Sequence, residues 1–151
     1  MTSPRIRPIA ICVFHRAGRI LVNETEEDDP LKPRTFCRPL GGGIEFGETS
    51  AEAIVREIRE ELGAEVGKLN LIGTLENIFT CLGRPGHEIV QVYNGEFMDQ
   101  GLYEMPCLSG REDDGVPFEA YWRGKSYFSA TLPLYPEGLA ELLEQRGLFG
   151  T

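Results

Sequence analysis

Three glutamates share the short run Arg56-Glu57-Ile58-Arg59-Glu60-Glu61, at spacings that an α-helix would bring to a common flank. At 3.6 residues per turn, Glu61 lies about 40° from Glu57, and Glu60 about 60° the other way. Like charges at these separations repel by about a few tenths of a kcal/mol per pair. The run holds no lysine, and its cations, Arg56 and Arg59, fall on the other flank of the wheel. A hard divalent cation relieves such a crowd, because magnesium prefers carboxylate oxygens and completes its shell with water and phosphate. Upstream, Gly41-Gly42-Gly43 lets the backbone turn tightly and approach an ion with no side chain in the way. Either feature alone has an ordinary explanation, a solvated acidic face or a plain turn. Their proximity points to an all-oxygen metal site.

The elements that must position these groups are legible in outline. Thr49 with Glu52 forms a capping box and Gly63 is a natural stop, so a helix is expected between them. Ala51, Ile54, Val55, Ile58 and Leu62 occupy one arc of about 100°, the expected buried face. Ile6 to Phe14 predicts a buried strand and Arg19 to Asn23 its hairpin partner, joined by a turn at His15-Arg-Ala-Gly18. Glu24 to Pro33 predicts a surface loop, and Thr35 to Leu40 a short strand running into the glycines. Lys68 to Leu82 and His87 to Met98 predict two further strands, joined by a type II turn at Arg84-Pro85-Gly86-His87. Tyr103 to Pro117 predicts a loop holding Glu112-Asp113-Asp114, followed by a strand at Phe118 to Trp122. A closing helix is expected over Glu137 to Gln145, with Pro136 in its first turn. This is one mixed α/β domain over residues 1–151.

Composition narrows the function. Apolar and charged contents of 41% and 26% fit a globular chain. A net charge of −9 opposes binding to nucleic-acid backbones, yet a small phosphate ligand can bind through cations. No apolar run is long enough to span a bilayer and no signal peptide is visible, so no membrane association and a cytoplasmic location are expected. The cysteines Cys12, Cys37, Cys81 and Cys107 are scattered and are expected to be free thiols. No Gly-x-Ser-x-Gly elbow marks a serine nucleophile.

From Gly42 to Ala64 the chain resembles the Nudix box: Gly42, Glu48, Arg56-Glu57-Ile58, Glu60-Glu61-Leu62 and Gly63 at the family's spacing. Seven fixed identities coincide, a match expected by chance on the order of once in 10⁸ positions. The resemblance covers 23 of 151 residues, and the order of the surrounding elements resembles the family's α/β/α sandwich with a mixed central sheet. It implies a magnesium-dependent pyrophosphohydrolase, with manganese an alternative ion. By position, the ions would sit on Glu57, Glu60, Glu61 and the Gly41 carbonyl. Glu57 or Glu60 would act as general base, with Glu112 the candidate from the later loop. Gly42, Glu48, Arg56 and Gly63 would be structural, Glu48 and Arg56 by pairing to hold loop and helix together. The chain departs from the family where Leu40 replaces the proline usual before the two glycines.

Family substrates are nucleoside diphosphates linked to another moiety, and the resemblance leaves the particular one open. The proline that marks many ADP-ribose hydrolases is replaced by Phe79, and the NADH-type extension is absent. Phe79 could stack on a base or pack in the core, and Arg38 could grip phosphate or be structural. The implied partner is a small nucleotide-type substrate, and the family admits a homodimer. Two other readings remain open here: a nucleotide-sensing module without turnover, and an acidic protein-interaction domain.

Overall fold

The computed structural model describes residues 4–27 and 34–149. In chain order these form β1 (Ile6–Val13), β2 (His15–Arg16), β3 (Arg19–Glu27), β4 (Arg34–Arg38) and β5 (Leu40–Gly43). Then come α1 (Ser50–Leu62), β6 (Val66–Cys81), β7 (Arg84–Phe97), β8 (Cys107–Arg111), β9 (Pro117–Gly124) and α2 (Leu139–Gln145). One sheet has the order β5-β1-β7-β6 and is mixed, β1 running parallel to β7 and antiparallel to β5. The other has the order β2-β3-β9-β8, with β4 also paired to β3.

An interior strand covered on both faces needs apolar residues at successive positions, which explains the run in β1. Ile9, Ile11 and Val13 enter a core shared with Leu139 and Leu143 of α2. Ala10 and Cys12 enter the opposite core, with Ala53, Ile54 and Ile58 of α1. A helix therefore covers each side of the mixed sheet, as the α/β/α resemblance implied. No helix among the described residues is long and apolar enough to cross a membrane, which says nothing of a β-barrel.

Several expected boundaries move. The strand from Arg19 continues to Glu27 because β4 pairs with its second half, Glu27 opposite Arg34. The rest of the loop expected there, 28–33, lies outside the described residues. The glycine triplet is an extended strand rather than a turn, hydrogen-bonded to β1 with Gly41 opposite Ile11. The β6–β7 connection is Leu82-Gly83, with φ of 54° and 75°, rather than Arg84 to His87. Two positive φ values give the twist that a two-residue hairpin prefers. Pro85 is tolerated inside β7 because β1 joins that strand only from His87 onward, so no β1 partner faces the missing N–H. The expected loop from Tyr103 contains β8, a strand formed by pairing with β9. The closing helix starts at Leu139, later than expected, after Pro136 and Gly138.

Candidate active site

Helix α1 begins and ends on local chemistry. The Glu52 N–H donates to Thr49 Oγ1 at 3.1 Å, the Thr49 N–H donates to Glu52 Oε1 at 3.0 Å, and Gly63 closes the helix at φ 67°. The face buried between these caps differs from the expected one. Ala53, Ile54 and Ile58 are sealed, but Glu57 and Glu61 are also buried, at 3% and 7% exposure. Ala51, Val55 and Leu62 are only partly covered. The reason lies in what the helix meets. A Cβ on Gly42 would stand 2.5 Å from the Glu57 carboxyl carbon, so the bare backbone of β5 makes the space that this carboxylate fills. Gly41 is equally constrained on its other side, since its φ is 153° and a Cβ would come 2.1 Å from the Ala10 carbonyl oxygen. The glycines thus bring β5 flat against β1 and let α1 deliver a carboxylate to its surface.

Arg56 is the hub of this arrangement. Its Nε donates to Glu48 Oε2 at 2.8 Å, and its Nη2 donates to Glu48 Oε1 and the Gly43 carbonyl, both at 2.9 Å. Its Nη1 donates to Glu57 at 2.8 Å and to Glu60 at 3.3 Å. The guanidinium does not remain on the far flank of the helix, because its long stem folds back over the glutamates. It ties the loop to the helix and orients Glu57 as well. The bidentate contact holds the Glu48 carboxyl down at about 2. Arg59 does stay away, paired with Glu65.

One guanidinium does not balance this group. Glu57 Oε2 is buried and meets no hydrogen-bond partner among the described residues. A buried carboxylate oxygen in that state costs about 1–3 kcal/mol or more, unless a proton or a cation occupies the space it faces. Burial raises the Glu57 carboxyl above the ordinary range, and Glu61 is pushed up to about 9 by burial and then by its contact with Glu57. Glu57, Glu60 and Asp113 each bring one oxygen within 4.8 Å of the others. A hard divalent cation fits this all-oxygen donor set and the unpartnered Glu57 oxygen.

The loop acid in this cluster is Asp113. Glu112 lies close by, but its carboxylate accepts a hydrogen bond from Asn23 Nδ2 at 3.0 Å. Asp113 escaped sequence reading because the β8–β9 hairpin that carries it forms only by tertiary pairing. Its one sequence signal was the acidic run itself.

Asp113 of this cluster also lines a cleft of about 660 Å³ between the two sheets. Gly41, Gly42, Glu61, Glu112 and Asp113 line one end, with Arg38 and Phe79 on the walls. Phe79 belongs to neither buried core. It is half-buried and lies over Gly86, where a Cβ would stand 2.3 Å from the ring. Arg38 is exposed on β4. None of the four cysteines is in a disulfide, as expected; Cys37 donates to Glu24 and Cys81 to Glu27.

Residues 4–125 match the family model of the NUDIX domain, and the chain belongs to that family. Over 71 residues it is 35% identical to the NAD-capped RNA hydrolase NudC of Pseudomonas aeruginosa, a match covering 47% of this chain and 24% of that protein. Over 62 residues it is 31% identical to an uncharacterized Nudix hydrolase of Listeria innocua, covering 41% of this chain and 37% of that one. The chain therefore matches well under half the length of either relative. Among solved structures, a MutT NUDIX hydrolase from Burkholderia pseudomallei superposes with a TM-score of 0.63 at 22% identity, over 93% of this chain and 98% of that one. An ADP-ribose pyrophosphatase from Streptococcus suis superposes at 0.59 and 15% identity, over 94% and 92%. At these identities the likeness is one of fold.

Proposed function

We propose that the chain is a magnesium-dependent pyrophosphohydrolase that cuts the diphosphate bond of a nucleoside diphosphate linked to a second moiety. The observation that carries this reading is the buried Glu57 carboxylate, whose Oε2 has no partner among the described residues and one of whose oxygens lies within 4.8 Å of oxygens of Glu60 and Asp113. Membership of the family and a relative named for NAD-capped RNA support it.

Glu57, Glu60, Glu61 and Asp113, with the Gly41 carbonyl, would hold the metal, and manganese suits the same oxygen set. The chemistry that bound magnesium supplies is neutralisation of charge on the nonbridging phosphate oxygens and acidification of water. Glu57 is sealed, at 3% exposure, which suits it to holding rather than to proton transfer. Glu60, with a side chain 51% exposed, is the better placed proton acceptor for an attacking water. Arg56 keeps both carboxylates aimed, and Glu48 keeps Arg56 aimed. The acidic chain suits a small substrate that arrives with its cation, in the cytoplasm, rather than a bare polyanion.

The test is a panel of nucleotides, sugar nucleotides and dinucleoside polyphosphates with magnesium, manganese or chelator, the products being identified by mass. Cation-dependent cleavage between two phosphorus atoms is the expected result. Tight binding without turnover on every compound would overturn the reading in favour of a nucleotide-sensing module.

A further inference from the structure

The far end of the cleft holds a second arginine whose setting differs from that of Arg56. Arg34, Phe36 and Arg38 alternate along β4, so all three face the cleft. Arg38 marks the acidic end, because it pairs in register with Asn23, the residue that holds Glu112. Arg34 lies four positions back, roughly 13 Å along the strand at about 3.3 Å per residue. There its guanidinium carbon stands 5.6 Å from the Phe36 ring centre and 5.4 Å from that of Tyr135. Its Nε donates to Glu27 Oε2, and the two side chains are 26% and 18% exposed. Phe36 and Tyr135 themselves meet at 5.2 Å.

A guanidinium fixed by two rings and one carboxylate is a flat plate with its charge already answered. It has lost most of its value as a phosphate grip and kept its value as a stacking surface, since aromatic faces and guanidinium planes both stack on nucleobases. We propose that Arg34, held by Glu27 against Phe36 and Tyr135, is the platform on which a purine base of the substrate stacks, while the diphosphate extends along β4 toward Arg38 and the glutamates. This rests on the hydrolase reading for where the diphosphate lies, and it commits the nucleoside half of the substrate to the cleft.

Calorimetric titration of the metal-free protein with AMP, GMP and ribose 5-phosphate separates base from phosphate. The wild type is expected to bind at least one purine nucleotide about tenfold or more tighter than ribose 5-phosphate, within the range a stacked base contributes. Arg34→Ala should erase that gap and leave the ribose 5-phosphate affinity in place. Arg34→Lys should erase it equally, because lysine restores the charge and not the plane. Tyr135→Leu, which removes a ring from the platform, should narrow the gap, and thermal unfolding of each variant checks that the fold is kept. A wild type that does not distinguish AMP or GMP from ribose 5-phosphate overturns the proposal. So does an Arg34→Lys variant that retains the preference, since the base would then not be stacking on the guanidinium plane. A purine preference without turnover on the nucleotide panel would leave this platform standing and remove the hydrolase reading; turnover without the preference would do the reverse.

Discussion

Arg56 and Arg34 are both half-buried against carboxylates, and they differ in how the charges balance. Arg56 is shared by Glu48, Glu57, Glu60 and a backbone carbonyl, and Glu57 still has an oxygen without a partner. Arg34 is matched by one carboxylate and faced by two rings. The first setting has surplus negative charge and calls for a cation. The second is neutral as a unit and calls for a flat uncharged group. In the proposed complex the same residue type would serve opposite ends of one ligand, according to the number of oxygens around it.

Removing the hub should have the largest effect. Arg56→Met leaves Glu48 and Glu57 without their donor, and we expect turnover to disappear and stability to fall by about 3 kcal/mol, at the low end for a broken partly buried ion pair. Assay and denaturant unfolding measure the two effects, and a variant with near-normal kcat would dissolve the contrast drawn here. Glu57→Gln is milder for the fold. It should lower kcat about 10²–10³-fold, the range for losing one transition-state-stabilising group. It should leave the metal-free melting temperature unchanged or raised, because it relieves the Glu57–Glu61 contact. Magnesium at about a hundredfold excess over its Kd should stabilise the wild type by about 2.7 kcal/mol, or roughly 5–10 °C in Tm, by mass action. Glu57→Gln should lose most of that gain, whereas Arg34→Ala should keep it.

The smallest effect lies at acid pH. The Glu48 carboxyl, held at about 2 in the fold against an ordinary value of 4.5, binds fewer protons folded than unfolded across that interval. Its contribution to stability is therefore complete above about pH 4.5 and drains away as the pH falls toward 2. Glu48→Gln should flatten that part of the stability curve, as measured by urea unfolding between pH 5 and 2.5. A slope equal to the wild type's would show that the pair with Arg56 does not form in solution.

How much was legible in the chain follows from how local each feature is. The caps at Thr49 and Gly63 and the spacing of Glu57, Glu60 and Glu61 lie within one helix, and the helix is where the spacing placed it. The burial of Glu57 and Glu61 is not legible in an apolar stripe, and the space for the Glu57 carboxylate is made by Gly42 on another element. Asp113 depends on a hairpin with weak strand character. The corner of Arg34, Phe36 and Tyr135 joins residues about a hundred positions apart, which no local pattern announces. The turn at Leu82-Gly83 escaped because leucine rarely adopts positive φ, whereas Pro85-Gly86 resembled a better turn than the one that forms.

The three consecutive glycines of β5 carry a consequence for how this gene can drift. At Gly41 any side chain meets the backbone of β1, at Gly42 it meets the Glu57 carboxylate, and at Gly43 it meets nothing within 4 Å. Three adjacent positions therefore answer an added side chain in three separate ways. The first guards folding, the second guards chemistry in a protein that could still fold, and the third is free to wander.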